Sequence, residues 1–216
     1  MPKNTFFNLP KNKMEKIIEV ALEEFVNYSY ENASINRIVE RAEIAKGSFY
    51  QYFEDKKDLY GYIIEEAYSK KLLFMLDAIE NMKYNDFFSS LKELYTAEIN
   101  FALESSKFST VIHNYTKCSP AEFNGEILKS NQKYREVFEK LILKGIENKD
   151  IDAEADEKKR VFLLIHLSMS ILEYYINEVN CDFSKTMEYL DGIINLFKDG
   201  IKLKKRYTKD VEDRFY

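Results

Sequence analysis

Side chains that can hydrogen-bond to phosphates and base edges are concentrated in the segment KGSFYQYFEDK, residues 46–56. Lys46 carries an ammonium suited to a phosphate or a guanine edge, and Gln51 carries an amide suited to adenine. Gly47 costs about 1 kcal/mol in a helix relative to alanine, but its missing side chain lets a helix approach a DNA backbone closely. The other hydroxyl and ammonium groups belong to Ser48, Tyr50, Tyr52 and Lys56. These residue types predict a surface that contacts nucleic acid.

The aromatic residues of this segment have a second interpretation as core. Phe49 and Phe53 lie one helical turn apart, and we expect both to be buried. The pattern leaves Tyr50 and Tyr52 open between a core position and a DNA-facing one. Gly47 is also open to a plainer interpretation, in which it ends the preceding helix.

Three predicted helices must position these side chains. Residues 13–28 carry apolar side chains on one face, with acids and lysines opposite. A second helix spans residues 34–42, where Ser34 can be the N-cap, and a short third helix spans residues 45–53. Two helices joined by a short turn, the second led by small polar residues, are typical of a helix-turn-helix, whose second helix enters the DNA major groove. Lys56 opens the next helix, where its ammonium and the backbone N–H groups can share one phosphate.

The motif SINRIVERAEIAKGSFYQYFEDKKDLY resembles the DNA-binding head of the TetR/AcrR family of transcriptional regulators. The matching positions are Ser34, Ile38, Val39, Lys46, Gly47, Ser48, Phe49, Tyr50, Tyr52, Phe53, Lys56 or Lys57, and Leu59 or Tyr60. The resemblance implies a homodimer that represses or activates transcription by binding a near-palindromic double-stranded DNA operator. It also implies that the C-terminal body holds an inducer pocket and the dimer interface. The residues predicted to contact DNA are Ser34, Asn36, Arg37, Lys46, Gly47, Ser48, Tyr50, Gln51, Tyr52 and Lys56.

Two positions depart from the family pattern. Glu43 stands in the turn where the family usually has glycine, so it must tolerate or avoid the left-handed conformation that glycine accepts freely. Ala45 stands where a capping serine often begins the recognition helix, and alanine cannot cap. Each departure is expected to weaken or reshape the head by about 1 kcal/mol without removing its way of docking.

The composition favours long helices. With 45% apolar and 32% charged side chains, three prolines and six glycines, we predict an all-α protein of about nine helices. We divide it into a helix-turn-helix head, residues 1–60, and a helical ligand-binding and dimerisation body, residues 61–216. The net charge is −5, and the head has nine Lys or Arg against ten Asp or Glu. Any DNA-reading face must therefore come from the placement of single basic residues.

The body is predicted to contain a dimer interface. After a long helix that joins head and body, we predict helices at residues 86–104, 107–116, 124–148, 156–179 and 184–206. In residues 160–176 apolar side chains occupy almost the whole helical circumference, as expected when one face packs on the core and another on a partner subunit. The last two helices of each chain would then form a four-helix bundle. The alternative is a fully buried central helix of a monomer.

A set of aromatic residues and histidines is predicted to line an inducer pocket in the body. Aromatic residues at helical spacing also suit a plain core, so both interpretations stay open. Composition and the resemblance favour an apolar or aromatic small-molecule inducer. The two histidines either share the pocket or are satisfied separately. The predicted ligand-binding residues are Phe74, Phe101, His113, Tyr115, Tyr134, His166, Met169 and Tyr174.

Catalytic and metal chemistry is not expected. The sequence has no nucleophile elbow, no HExxH motif and no Walker loop, so we predict no enzyme activity and no cofactor. The acids of residues 150–156 alternate like a calcium loop, but Ala155 stands where the sharp turn requires glycine. We expect these acids to cap the following helix, and the basic residues 202–206 to suit a helix C-terminus.

The sequence also predicts a cellular location and leaves one alternative function open. Cys118 and Cys181 lie far apart, and neither a leader nor an apolar run that could span a membrane is evident, so we expect a cytoplasmic protein. The near-neutral head, with Glu43 and Ala45, motivates one alternative: a helical protein-interaction or ligand-binding module that has lost operator binding.

Overall fold

The computed structural model describes residues 1–81, 86–117, 129–152 and 156–199. Every regular element in these ranges is a helix, which confirms the all-α prediction. The α-helices are α1 (Asn4–Phe7), α2 (Lys11–Asn27), α3 (Ile35–Arg41), α4 (Lys46–Tyr52), α5 (Lys56–Glu80), α6 (Phe87–Glu104), α7 (Ser106–Lys117), α8 (Lys129–Glu147), α9 (Glu157–Glu173) and α10 (Phe183–Asp199). A π-helical turn, Tyr174–Glu178, directly follows α9.

Two differences from the predicted elements have physical causes. The nine predicted helices correspond to α2 through α10, whereas α1 is an additional single turn that is too short to show a hydrophobic period. The predicted helix 156–179 divides into α9 and the π turn. The predicted start of α8 at residue 124, the predicted end of α10 at residue 206, the basic residues 202–206 and Cys118 lie outside the described residues.

The head is built from α2, α3 and α4 around a buried apolar centre. Ile17 and Phe25 of α2, Ile38 of α3 and Phe49 of α4 are almost completely buried there. Tyr60 of α5 joins them, with its ring centroid 4.7 Å from that of Phe25. The first turns of α5 therefore belong to the core of the head.

Side-chain caps fix where several of the described helices begin. Ser34 Oγ accepts a hydrogen bond from the Arg37 N–H at 3.4 Å, which confirms the predicted cap of α3. Asp55 accepts from the Asp58 N–H at 2.8 Å at the start of α5. Asp156 accepts from two N–H groups in the first turn of α9, which confirms the predicted capping role of that acid. Within the described ranges, no cluster of His, Cys, Asp and Glu could hold a metal ion.

The helix α5 runs without interruption from the head into the body and crosses residue 60. Its first turns bury Leu59 and Ile63, and its later turns bury Lys71 and Met75 among α6, α7 and α8. A second connection lies at the surface, where Glu23 of α2 accepts from Lys107 of α7 at 2.6 Å. Head and body are thus joined by the continuous helix α5 and by the packing of α2 on α7, where Lys107 pairs with Glu23 and lies 3.6 Å from Glu19.

The body packs α6, α8 and α9 around large aromatic residues. Tyr95, Phe101 and Phe138 are almost completely buried, and the Tyr95 hydroxyl donates to the Leu164 carbonyl of α9 at 2.9 Å. Gly145 lets α8 approach α6, because a Cβ at that position would lie 2.7 Å from the Phe87 ring. None of the described helices is long and apolar enough to cross a membrane.

Candidate DNA-reading face and core site

One face of α4 is exposed and polar, and the opposite face is core. Lys46, Gly47, Tyr50 and Gln51 are exposed, and Ser48 is half-buried beside them. Because α4 has only seven residues, the turns on either side of it fix its position as much as its own packing does. The resulting surface offers an ammonium, a phenol and an amide around a position without a side chain.

The buried face of α4 settles which aromatic residues are core. Phe49 and Phe53 are fully buried, which confirms their prediction. Tyr52, which was predicted to contact DNA, is also placed in the core, with its ring centroid 6.2 Å from that of Phe6 in α1. It lies three residues after Phe49, so the same helix face carries both rings inward. The exposed face therefore excludes Tyr52 and includes Tyr50.

Lys56 is used inside the head. Its ammonium donates to the carbonyls of Tyr30 at 2.6 Å, Glu31 at 3.1 Å and Ala33 at 3.2 Å, and lies 4.6 Å from the centre of the Tyr30 ring. These bonds tie the loop between α2 and α3 to the start of α5. The predicted phosphate contact of Lys56 stays untested, but its donors are already directed at these carbonyls.

Arg37 is likewise held by neighbours. Its guanidinium donates to the buried Glu24 carboxylate at 2.9 Å through Nε and to the Asn32 carbonyl at 2.8 Å, and lies 4.1 Å from the Tyr28 ring centre. The hydrogen bond to Glu24 raises the pKa of Arg37. Asn36, one residue earlier in the first turn of α3, is exposed. Of the predicted residues on α3, Asn36 is thus the one whose side chain faces outward.

The turn before α4 adopts the left-handed conformation that glycine accepts freely and glutamate does not. Glu43 has φ of 55°, in the left-handed region, and its carboxylate lies 2.8 Å from the Lys16 ammonium. That hydrogen bond lowers the pKa of Glu43. Ala45 precedes α4 without a side-chain cap, as expected. The head keeps its helix-turn-helix geometry in spite of both departures.

A second candidate site is a polar cluster buried in the body. Lys71 of α5 and Glu98 of α6 are only 7% and 8% exposed, with their charged atoms 3.0 Å apart. The Tyr134 hydroxyl of α8 donates to Glu98 at 2.9 Å and lies 3.0 Å from Ser168 Oγ of α9, which also bonds to Glu98. Burial and the neighbouring carboxylate raise the pKa of Tyr134 well above its ordinary value, so its hydroxyl stays a donor. Four helices therefore meet at one satisfied ion pair.

Two small cavities lie on either side of this polar cluster. Each has a volume of ≈ 20 Å³, about the room that one water molecule needs. The side chains shared by both walls are Lys71, Ile112, Ser168 and Leu172. We refer to these four shared side chains as the partition.

The segment that carries the exposed face of α4 also matches a known family. Residues 17–63 match the family described as bacterial regulatory proteins, tetR family. This match supports a TetR-family transcriptional regulator. It runs from within α2 to the first turns of α5, which together form the helix-turn-helix head.

Similar proteins extend the likeness beyond the head. The chain is 23% identical over 200 residues to the fatty acid metabolism regulator protein of Bacillus subtilis, covering 88% of this chain and 95% of that protein. It is 23% identical over 147 residues to the HTH-type transcriptional repressor DhaR of a Mycobacterium, covering 63% and 69%. These proteins are regulators by name, and the family is one of transcriptional regulators rather than enzymes.

Solved structures share a fold that extends over most of this chain. A TetR-family regulator from Chloroflexus aurantiacus has a TM-score of 0.69 at 28% identity, covering 94% of this chain and 100% of that chain. FadR from Bacillus subtilis, solved in complex with stearoyl-CoA, has a TM-score of 0.71 at 17% identity, covering 87% and 99%. At 17% identity, the likeness to FadR is a likeness of fold alone.

Half of the predicted ligand-binding residues line the two cavities. Phe101 lines one cavity, and Tyr134, His113 and Met169 line the other. Burial, followed by the nearby Lys117, lowers the pKa of His113. Sequence reasoning missed Lys71, Glu98 and Ser168, although Lys71 interrupts the buried face of α5 and could have been noticed there.

The other predicted ligand-binding residues lie elsewhere. Phe74 faces an outer groove, and Tyr115 is buried beside Tyr60. His166 is exposed, and its Nδ1 lies 2.8 Å from the Phe162 carbonyl, so the two histidines do not share a cavity. Tyr174 stacks on Tyr189 with ring centroids 4.0 Å apart. The helical spacing of these residues did not reveal which of them line the same cavity.

An apolar surface remains exposed on the last two helices. Phe162 and Leu163 of α9 are 56% and 47% exposed, and Leu196 of α10 is 54% exposed. Phe183 and Phe197 of α10 are also exposed. The almost continuous apolar circumference of residues 160–176 thus has one side in the core and one side on the surface.

Proposed function

We propose that this protein is a dimeric repressor that binds a near-palindromic operator through the exposed face of α4. In the proposal, Lys46, Tyr50 and Gln51 contact phosphates and base edges, while Gly47 allows close approach of the DNA backbone. Asn36 of α3 and Ser48 complete the contact surface. A small-molecule inducer that binds in the body releases the repressor from DNA.

The observation that carries this proposal is the division of α4 into two faces. Phe49 and Phe53 anchor the helix in the core, so Lys46, Tyr50 and Gln51 are presented outward in a fixed arrangement. A recognition helix needs this combination, because side chains can read base edges only when the backbone beneath them is rigid.

Dimerisation is proposed through α9 and α10. Exposed apolar side chains such as Phe162, Leu163 and Leu196 would be covered in a four-helix bundle made by two chains. Two heads in one dimer can then enter successive major grooves, which lie about 34–36 Å apart. The operator is accordingly expected to be an inverted repeat.

The inducer is proposed to bind at the partition between the two core cavities. Apart from the polar cluster, their walls are mostly apolar, with Ile99, Ile112, Ile171 and Leu172 among them. Such a site suits a largely apolar molecule with one polar group that can reach Lys71 or Ser168. Because a relative of the same fold was solved with stearoyl-CoA, that compound is the first probe, with free coenzyme A as its control.

The coupling between inducer and DNA is proposed to run through α5. Its Lys71 lies in the polar cluster, and its first turns lie in the core of the head. A ligand that moves the side chains of the partition apart would favour a different position of α5. The two heads of the dimer would then have a different spacing. DNA must then weaken inducer binding by the same factor by which the inducer weakens DNA binding.

The experiment that tests this proposal is selection of random DNA duplexes by the purified protein, followed by sequencing. We expect an inverted repeat. On that operator, Lys46→Ala should weaken binding and lower the slope of log affinity against log salt by about 0.9 for each phosphate that the lysine neutralises. Lys140→Ala removes an exposed lysine of α8 and serves as the charge-matched control, measured by fluorescence anisotropy.

The results separate the proposal from its alternative. Recovery of no motif from folded protein, together with equal salt slopes for wild type, Lys46→Ala and Lys140→Ala, would favour a helical module without operator binding. A motif without internal symmetry would retain DNA binding and reject the dimeric operator.

A further inference from the structure

The first residues of the chain close the end of the recognition helix. The Lys3 N–H donates to the Tyr52 carbonyl at 2.8 Å, and the Lys3 ammonium donates to the Tyr50 carbonyl at 2.9 Å. The Thr5 hydroxyl donates to the carbonyl between them, that of Gln51. Three consecutive carbonyls of α4 thus find donors in residues 3–9, which we name the arm.

These bonds replace a cap that α4 does not have. The last four carbonyls of any α-helix lack partners within the helix, and glycine in a left-handed conformation often supplies the closure. Here the residue after α4 is Phe53, in an extended conformation with φ of −127°. Since α4 has only seven residues, nearly half of its carbonyls depend on the arm.

A buried aromatic side chain anchors the arm. Phe6 is completely buried, with its ring centroid 4.8 Å from Phe53, 5.6 Å from Tyr62 and 6.2 Å from Tyr52. Tyr62 belongs to α5, so Phe6 packs on the recognition helix and on the helix that leads into the body. A single helical turn is marginal by itself, and it is these contacts that stabilise α1.

The arm and the DNA-reading face lie on the same short helix. Tyr50 and Gln51 place their side chains on the exposed face, while their carbonyls are bonded to the arm. Any rotation of α4 about the buried Phe49 would have to break these bonds. The arm therefore restrains the direction in which the side chains of the exposed face point.

We propose that the arm is a positioning element for operator recognition, with Phe6 as its anchor and Thr5 and Lys3 as its bonds to α4. It sets the angle of the recognition helix and need not touch DNA itself. The inference rests on the proposed binding of an operator by α4.

The test uses two substitutions in the full-length protein. Phe6→Ala removes the anchor, and we expect operator affinity to fall by about tenfold or more. Thr5→Val removes one bond without a change of charge, and we expect a loss of about threefold that Thr5→Ser restores. Thr96→Val is the matched control, because it removes a hydroxyl-to-carbonyl bond of 2.8 Å inside α6 of the body.

The readout distinguishes positioning from simple destabilisation. Partial unfolding would lower affinity for operator and for random-sequence DNA equally, whereas a misdirected helix should lose operator affinity preferentially. Backbone amides of residues 46–53 should also exchange hydrogen faster in Thr5→Val, with those of α6 unchanged. If Phe6→Ala does not fold, the Thr5→Val and Thr5→Ser pair decides.

Either of two results would overturn the inference. One is operator affinity within twofold of wild type for folded Phe6→Ala and Thr5→Val. The other is an equal loss for operator and random DNA. If the wild type itself binds no operator, the proposed function fails, and the hydrogen exchange of residues 46–53 alone then shows whether the arm holds α4.

Discussion

At the scale of single residues, the basic side chains of the head divide into two groups. Arg37 and Lys56 use their donors inside the head, on Glu24 and on three loop carbonyls. Lys46 stands on the exposed face of α4. The head is nearly neutral overall, so specific placement of such residues must supply the attraction to phosphates.

Gly47 is a glycine that packing among the described residues does not require. A Cβ at this position would meet none of the described residues within 4 Å, and glycine in a helix costs about 1 kcal/mol relative to alanine. A partner that must come close to α4, such as the proposed DNA backbone, would account for that cost.

Gly47→Ala should therefore stabilise the protein and weaken operator binding. We expect the free energy of unfolding to rise by up to about 1 kcal/mol and operator affinity to fall by about tenfold, because the added methyl group meets the DNA. Urea denaturation and fluorescence anisotropy measure the two effects. Since the variant is expected to be the more stable protein, unfolding cannot explain a loss of binding, and unchanged affinity would contradict the role given to Gly47.

At the scale of elements, α5 connects the two candidate sites. Tyr60 packs against Phe25 in the head, and three turns later Lys71 pairs with Glu98 in the body. A buried ion pair resists rearrangement, because separating its partners leaves a buried charge without compensation. A ligand that enters the core must therefore offer Lys71 or Glu98 a replacement partner, or leave the pair intact.

Leu172 of α9 lies in the partition shared by both cavities, and Leu172→Trp should fill them. We expect operator affinity to stay within about threefold of wild type, with a stability cost of about 1–3 kcal/mol from overpacking. Release from DNA by stearoyl-CoA should be lost. Anisotropy during titration with stearoyl-CoA measures this release.

The control for Leu172→Trp is Leu167→Trp, a half-buried position on the same helix that lines neither cavity. Release of Leu172→Trp from DNA at the wild-type concentration of stearoyl-CoA would place the inducer elsewhere.

At the scale of the whole molecule, the exposed apolar face of α9 and α10 is the proposed dimer interface. Dimerisation through it would place two heads in one molecule. Phe162→Glu should place a charge in the proposed interface and leave a folded monomer. Because one head reads only one half-site, operator affinity should fall by at least about 100-fold. Analytical ultracentrifugation and anisotropy measure the two effects.

Leu73→Glu is the matched control for the interface, since Leu73 is an exposed leucine of α5 outside α9 and α10. It should remain dimeric. A dimeric Phe162→Glu variant, or a monomeric wild type, would contradict the proposed four-helix bundle.

The helices, the family and the simplest core positions could be predicted from the amino-acid sequence. The caps at Ser34 and Asp156 and the burial of Phe49 and Phe53 follow from local rules, because a cap or a helical period involves residues within a few positions of one another. The sequence left open whether Glu43 tolerates or avoids the left-handed conformation, and the folded chain places it in that conformation.

Which polar groups meet could be learned only from the folded chain. Lys71 and Glu98 are distant in sequence, and Thr5 reaches Gln51 across most of the head. Two lysines of the head differ in their surroundings: Lys56 donates to carbonyls of a loop, whereas Lys46 is exposed. Propensity and period assign a residue to a helix face, but the energy of a hydrogen bond or ion pair depends on the atoms that the fold brings within about 3 Å.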